Sequence, residues 1–393
     1  MKRFFAILMA LVMCVALFAG CSSKEAAEPA APAADSTEKA DDTAAEEKVL
    51  KVGFIGPLTG ATAQYGTAVQ YGAKLYFDEI NAAGGVDGVT VEFIPMDSTG
   101  DPAVAINCYN TLYDKGVACI IGPVLTGETQ AVAPIADEDG MPLITASATG
   151  DDLSDLGDAL FRTCFKDSFQ GGKIADYAKE KLGFSKVAII TNNGSTYSTG
   201  LTLAFKNAAE ANGLEIVAEE AYADGDTDFK AQLTNLSTLS FDAIYVPDYY
   251  ETVALIAQQA KAQGIEAPFL GGDGYSGVLN MVEDKSVLEG FVYSDHYDAG
   301  ASDAAAEFGE KYISEFDVDP LSFSFLAYDA AQIVVNAAGR IDELNPETMI
   351  AALPDTDMDC LTSHYVFDED NNPIKSCAIL QIKDGEVGFV TMF

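Results

Sequence analysis

Ile120-Ile-Gly-Pro-Val-Leu-Thr126 and Pro142-Leu-Ile-Thr-Ala-Ser-Ala-Thr149 decide how this chain folds. Each is a short apolar run that ends in small hydroxyl and glycine residues, the pattern of a buried strand opening into a loop. Between them, Glu128 to Asp139 can form a helix. Such loops set backbone N–H groups and short hydroxyls at helix starts, where they suit an anion such as a carboxylate. They form the floor of a candidate binding site. Ordinary helix capping uses the same residue types, so these loops alone leave both roles open.

Working outward, the same rhythm recurs. Leu50 to Gly56, Thr90 to Met96 and Ala118 to Ile121 read as strands, with helices over Ala68 to Asn81 and from Asp101-Pro102 to Asp114. Asp is a natural cap there and Pro suits the first helical position. A second run follows Phe161-Arg-Thr. Its helices are Gly171–Leu182, Ser198–Asn212, Phe229–Ser237 and Glu251–Gln263. Its strands are Lys186–Thr191, Glu215–Glu219, Phe241–Val246 and Pro268–Gly271. Phe291 to Asp298 reads as a strand leading back to the first half, where Leu326 to Ala338 is a helix. Cys377–Ile382 and Val387–Phe393 read as a hairpin turning at Asp384-Gly385. Alternation of this kind predicts two α/β halves, each a parallel sheet with helices on both faces. Ligands of such sheets bind beyond the carboxyl ends of the strands. The loops there are Pro57–Gly66, Pro123–Thr129, Thr145–Thr149, Asn192–Tyr197, Pro247–Tyr250 and Gly271–Ser276.

The chain has 393 residues, 61 acidic against 22 basic, for a net charge of −39. Such a surface repels a phosphate backbone and argues against nucleic-acid binding. Lys2 and Arg3 precede the uncharged stretch Phe4–Gly20, 17 residues long and short for a membrane span. It runs into Leu17-Phe-Ala-Gly-Cys21, which resembles a bacterial lipobox with Phe18 where Leu is usual. Residues 1–21 are therefore expected to be a lipoprotein signal peptide with Cys21 as the lipidation site; an ordinary secretory signal is the alternative. Residues 22–48, rich in Ala, Pro, Glu, Asp and Thr, are expected to be a disordered tether. Cys108, Cys119, Cys164, Cys360 and Cys377 show no metal-ligand spacing. They read mostly as small buried hydrophobes, with one disulfide left open.

Gly53, Gly56 and Gly60 do not have dinucleotide-binding spacing, and Pro57 interrupts the turn. His296 and His364 are the only histidines, and neither lies in a nucleophile motif. Tyr249-Tyr250 serves either as packing or as a ligand wall. Asp273, between Gly271-Gly272 and Gly274, is either a turn residue or a carboxylate exposed to a cleft.

These residues carry a family resemblance. Lys51-Val-Gly-Phe-Ile-Gly-Pro-Leu-Thr-Gly60, Gly66–Asn81 with Ala82-Ala-Gly-Gly-Val86, Asp101-Pro102, Ile120-Ile-Gly122, Thr145–Thr149, Thr163–Gln170, Tyr197 and Gly271-Gly-Asp273 occur in order. From about Val49 to Phe393 the chain resembles the periplasmic leucine/isoleucine/valine-binding proteins of ABC transporters. The resemblance implies the type I periplasmic-binding-protein fold: two doubly wound parallel-sheet lobes joined by a three-crossover hinge. Lobe 1 would be 49–167 plus 297–372, and lobe 2 would be 168–296 plus 373–393.

It also implies a site. Thr126 and Thr149 would bind a ligand carboxylate, with Ala148 beside them. Ser147 would offer its carbonyl to the ammonium, and Asp273 would pair with it. Tyr65, Tyr197 and Tyr249 would cover the side chain; Asp167 and Phe323 are further candidates. No cofactor, metal or catalytic residue is implied. The expected function is capture of an amino acid, branched-chain or aliphatic, outside the cytoplasm by a lipid-anchored receptor that delivers it to an ABC permease. The alternatives are the same fold with an aromatic amino acid, an amide or a small carboxylate, or a sensory ligand-binding module.

Overall fold

The strand expected at Leu50 is β1 (Lys48–Gly56), which starts two residues earlier. Leu50, Val52, Phe54 and Ile55 are wholly buried along it, because helices cover both faces of its sheet. The computed structural model describes residues 48–86 and 88–393; the expected signal segment, Cys21 and nearly all of the acidic tether lie outside the described residues. Helix α1 (Ala63–Ala82) begins five residues before its expected start. Gly66 hides that start in the sequence, and its lack of a side chain is what permits it. A Cβ there would sit 1.8 Å from the Pro57 carbonyl oxygen.

The first sheet continues through β2 (Val89–Asp97), α2 (Pro102–Asp114), β3 (Cys119–Ile121), α3 (Thr126–Asp139), β4 (Leu143–Thr145) and β5 (Leu160–Arg162). Asp101 caps α2 as expected: its Oδ1 accepts from the N–H groups of Ala103 and Val104 at 2.8 and 3.0 Å. The strands lie in the order β2-β1-β3-β4-β5, all parallel. The second run supplies α4 (Asp167–Glu180), β6 (Lys186–Asn192), α5 (Thr196–Asn212), β7 (Glu215–Tyr222), α6 (Lys230–Leu236), β8 (Ala243–Tyr245), α7 (Tyr250–Ala262), β9 (Phe269–Gly271) and β10 (Val292–Asp295).

The chain then returns to the first sheet with α8 (Asp303–Phe316), α9 (Ser322–Gly339), α10 (Pro346–Ala352) and a small hairpin of β11 (Asp357–Asp359) and β12 (His364–Val366). It ends as β13 (Ala378–Lys383) and β14 (Glu386–Met392), the expected terminal hairpin. The second sheet reads β14-β13-β10-β9-β8-β6-β7. Its parallel part, β7-β6-β8-β9-β10, repeats the strand order of the first sheet, and β13 joins antiparallel to β10. The chain crosses between the sheets after β5, after β10 and after β12.

Layers on each sheet follow from the buried residues. Ala105, Tyr109 and Leu112 of α2 and Val132 and Ala136 of α3 pack with Ile55, Ile120 and Leu143 on one face of the first sheet. Helices α1 and α9 cover the other face through Val69, Phe77, Leu326 and Val334. In the second sheet, α4 and α5 pack on Val187, Ile189 and Tyr245, while α6 and α7 pack on Ala188, Ile190 and Ile244. All five cysteines of the folded part are free thiols, and all but Cys360 are buried.

Candidate functional site

An identical strand order in both sheets gives each a switch point between its first and third strands, where loops part and leave a crevice. The loops there face each other. Tyr65 follows β1, Thr126 follows β3 and Ser147 follows β4; Tyr197 follows β6, Tyr249 follows β8 and Asp273 follows β9. These six residues, with Val124, Leu125, Gly274 and Phe323, line one cavity between the two sheets. The walls meet closely there, leaving about 10 Å³, roughly the room of one water. A ligand therefore enters the cavity only when the facing loops part. Helices α3, α5 and α7 each start beside it, so their positive ends favour an anion.

One wall carries negative charge. The Asp273 Oδ1 accepts from the Tyr197 hydroxyl at 2.6 Å and from Gln170 Nε2 at 2.9 Å. Its Oδ2 lies 3.0 Å from His296 Nε2. Gln170 also donates to Asp167 Oδ1 at 3.0 Å and accepts the Asp273 N–H through Oε1 at 3.1 Å. All five side chains are buried. Burial, and then the Asp273 charge, raise the Asp167 carboxyl well above its usual range. Burial likewise pushes Asp295 up to about 8.

The opposite wall carries hydroxyls on a pinned loop. Ser147 Oγ donates to the Val124 carbonyl at 2.7 Å, tying the β4 loop to the β3 loop. Thr145 Oγ1 donates to the Pro123 carbonyl at 2.7 Å and accepts the Ala148 N–H at 3.0 Å. The buried Arg162 guanidinium donates to the Gly150 carbonyl at 2.7 Å. Thr149 Oγ1 makes no hydrogen bond of good geometry, although it lies near enough to Asp167 to oppose part of the effect of burial there. Thr126 sits in the first turn of α3, where Glu128 Oε2 accepts the Leu125 N–H at 3.2 Å.

Aromatic rings close the remaining sides. Tyr197 stacks on Tyr249, with centroids 4.8 Å apart. Tyr65 meets Tyr249, Tyr250 and Phe323 edge-on at 5.6, 4.8 and 5.2 Å. The Tyr65 hydroxyl donates to the Gly274 carbonyl at 2.6 Å, and the Tyr250 hydroxyl accepts the Gln64 N–H at 3.2 Å. The bonds run from α1 to the loop after β9 and to the start of α7, so the crevice is shut.

Seven residues singled out in the sequence thus meet at one cavity: Tyr65, Thr126, Ser147, Tyr197, Tyr249, Asp273 and Phe323. Ala148, Thr149 and Asp167 are not part of its lining; they adjoin it, Ala148 and Thr149 next to Ser147 in the chain and Asp167 through Gln170 to Asp273. The Ala148 side chain packs into the α2–α3 core, and the Asp167 N–H donates to the Thr149 carbonyl at 2.8 Å. Sequence reasoning missed Gln170 and His296, whose side chains reach Asp273 from a helix and from the end of β10. Among the described residues, no cluster of His, Cys, Asp or Glu is placed to hold a metal.

A family model described as periplasmic binding protein matches residues 49–386. The Leu/Ile/Val-binding protein homolog 3 of Brucella melitensis is 30% identical over 75% of this chain and 80% of its own length. A leucine-, isoleucine-, valine-, threonine- and alanine-binding protein of Pseudomonas aeruginosa is 28% identical over 81% of this chain and 86% of its own. Among solved structures, a branched-chain amino acid transporter substrate-binding protein of Streptococcus pneumoniae, in complex with isoleucine, superposes with a TM-score of 0.83. Its identity is 36%, covering 88% of this chain and 99% of that one. A leucine-binding protein of Thermotoga maritima superposes with a TM-score of 0.81 at 29% identity, covering 88% and 98%.

Proposed function

Because the chain belongs to the periplasmic binding protein family, we propose that it captures a branched-chain amino acid between its two lobes and delivers it to an ABC permease. In this reading lobe 1 is 49–167 plus 297–372 and lobe 2 is 168–296 plus 373–393. The observation that carries it is the opposition of two walls across one small cavity. Thr126, Thr149 and the start of α3 offer donors to a carboxylate. Asp273 offers a carboxylate to an ammonium, where water is excluded and charge-assisted bonds are strong. An α-amino acid carries both groups on one carbon. Tyr65, Tyr197, Tyr249 and Phe323 leave an apolar surround for its side chain. Relatives named for leucine, isoleucine and valine support the aliphatic choice. A simple carboxylate would leave Asp273 facing no cation.

The protein in this reading does no covalent chemistry. It works outside the cytoplasm, tethered by a lipid on Cys21 and the acidic segment 22–48. Hydrogen bonds such as Tyr65 to Gly274, which join the lobes directly, favour the closed form, and a ligand touching both walls adds to that bias.

A thermal-shift screen of protein freed of bound ligand tests this. Ligand at about 100 times its dissociation constant stabilises by roughly 2.7 kcal/mol. Leucine, isoleucine and valine are expected to raise the melting temperature, and benzoate is not. A response to benzoate with none to any amino acid would overturn the reading.

A further inference from the structure

His296 is fully buried, and its Nε2 lies 3.0 Å from Asp273 Oδ2. It stands just after β10, on one of the three crossings between the sheets. Its ring lies against Phe165, on another crossing, with centroids 3.8 Å apart, and near Phe323 of α9 at 5.7 Å. Nδ1 has no hydrogen-bond partner among the described residues. The neutral form that fits these contacts carries its proton on Nε2 and donates it to Asp273. Taking up a second proton would bury an N–H with no acceptor, which is unfavourable. Burial accordingly holds the imidazole below its usual range, against the opposing pull of the Asp273 carboxylate.

We propose that His296 is a positioning residue whose charge state governs ligand capture. As a neutral donor it orients the Asp273 carboxylate; as a cation it occupies that carboxylate and repels the ligand ammonium. The inference rests on the amino-acid reading given above. The other groups facing the imidazole are few. Asp295, its neighbour on β10, accepts the His296 backbone N–H at 2.7 Å. Lys375, on the third crossing, acts from a distance to lower the imidazole further. Asp167 of α4 is hydrogen-bonded to Asp273 through Gln170. The carboxylate for which His296 and the ammonium compete is Asp273, the one that the imidazole touches directly; burial raises both Asp167 and Asp295. Affinity then falls as the pH drops through the His296 transition, below 6.5, and ligand binding there releases a proton.

Two measurements test this. The chain has only two histidines, so imidazole ¹⁵N spectra of the free protein, assigned with a His364→Asn variant, resolve His296. The expected result is the Nε2–H tautomer at pH 7 and a midpoint below 6.5. The Nδ1–H tautomer, or a midpoint at or above that value, overturns the proposal whatever the ligand is. Calorimetry with isoleucine at about pH 7.5 and about one pH unit below the midpoint so measured then compares wild type with His296→Gln, whose amide keeps a donor but does not titrate. Between the two pH values wild type is expected to lose about tenfold more affinity than the variant. Equal losses overturn the proposal. Absence of isoleucine binding to wild type at pH 7.5 overturns the amino-acid reading instead, and with it the repulsion step.

Discussion

Thr149 Oγ1 and Asp167 Oδ2 are buried without a hydrogen bond of good geometry. Each such atom costs about 1–3 kcal/mol, a penalty that a ligand bonded to it removes. Replacing Thr149 with the isosteric valine is therefore expected to leave the melting temperature unchanged or slightly raised. It should weaken isoleucine binding about ten- to hundredfold, since a hydrogen bond to a charged group contributes roughly 1.5–3 kcal/mol. Calorimetry beside thermal melts separates the two effects; a Thr149→Val variant that binds like wild type would remove this hydroxyl from the carboxylate contact. At this scale the sequence was informative where a residue lies within a few positions of a strand's carboxyl end, as Thr126, Ser147, Tyr197, Tyr249 and Asp273 do. Gln170 and His296 escaped because they touch Asp273 rather than lie beside it in the chain. They are 103 and 23 residues away, and no local spacing marks such pairs.

Helices α1 and α9 show the corresponding limits for elements. A Cβ on Gly72 of α1 would lie 2.1 Å from the Ser324 carbonyl oxygen of α9. Gly72→Ala must push the helices apart, at about 1–3 kcal/mol, partly offset by the roughly 1 kcal/mol by which alanine favours helix. The variant is expected to melt a few degrees lower and to bind more weakly, because Tyr65 rides on the same helix. An unchanged melting temperature would show slack between the two helices. The long helices and buried strands were legible from periodicity. The hairpin of β11 and β12, three residues per strand, and the seven-residue α10 were not, since so few residues span too little of a period to show one. Helix α8 escaped for another reason: Ala305, Phe308, Gly309 and Tyr312 are its only buried residues, a thin apolar stripe among charges.

Across the whole molecule, the two sheets share one strand order, and their switch points meet at a single cavity. The repeated α/β halves were readable in the chain, but the facing of their loops is a property of the three crossings and appears only in three dimensions. The central claim is that the second lobe holds the ligand's ammonium through Asp273 while the first holds its carboxylate. A double-mutant cycle by calorimetry tests it most directly. Isoleucine and 3-methylpentanoate, which lacks the amino group, are titrated into wild type and Asp273→Ala, both freed of bound ligand. Removing either partner of a buried charge pair is expected to cost about 2–5 kcal/mol, some thirtyfold or more in affinity, and removing the second should cost little further. Binding of 3-methylpentanoate to wild type as tightly as isoleucine, or two losses that add in full, would contradict the account.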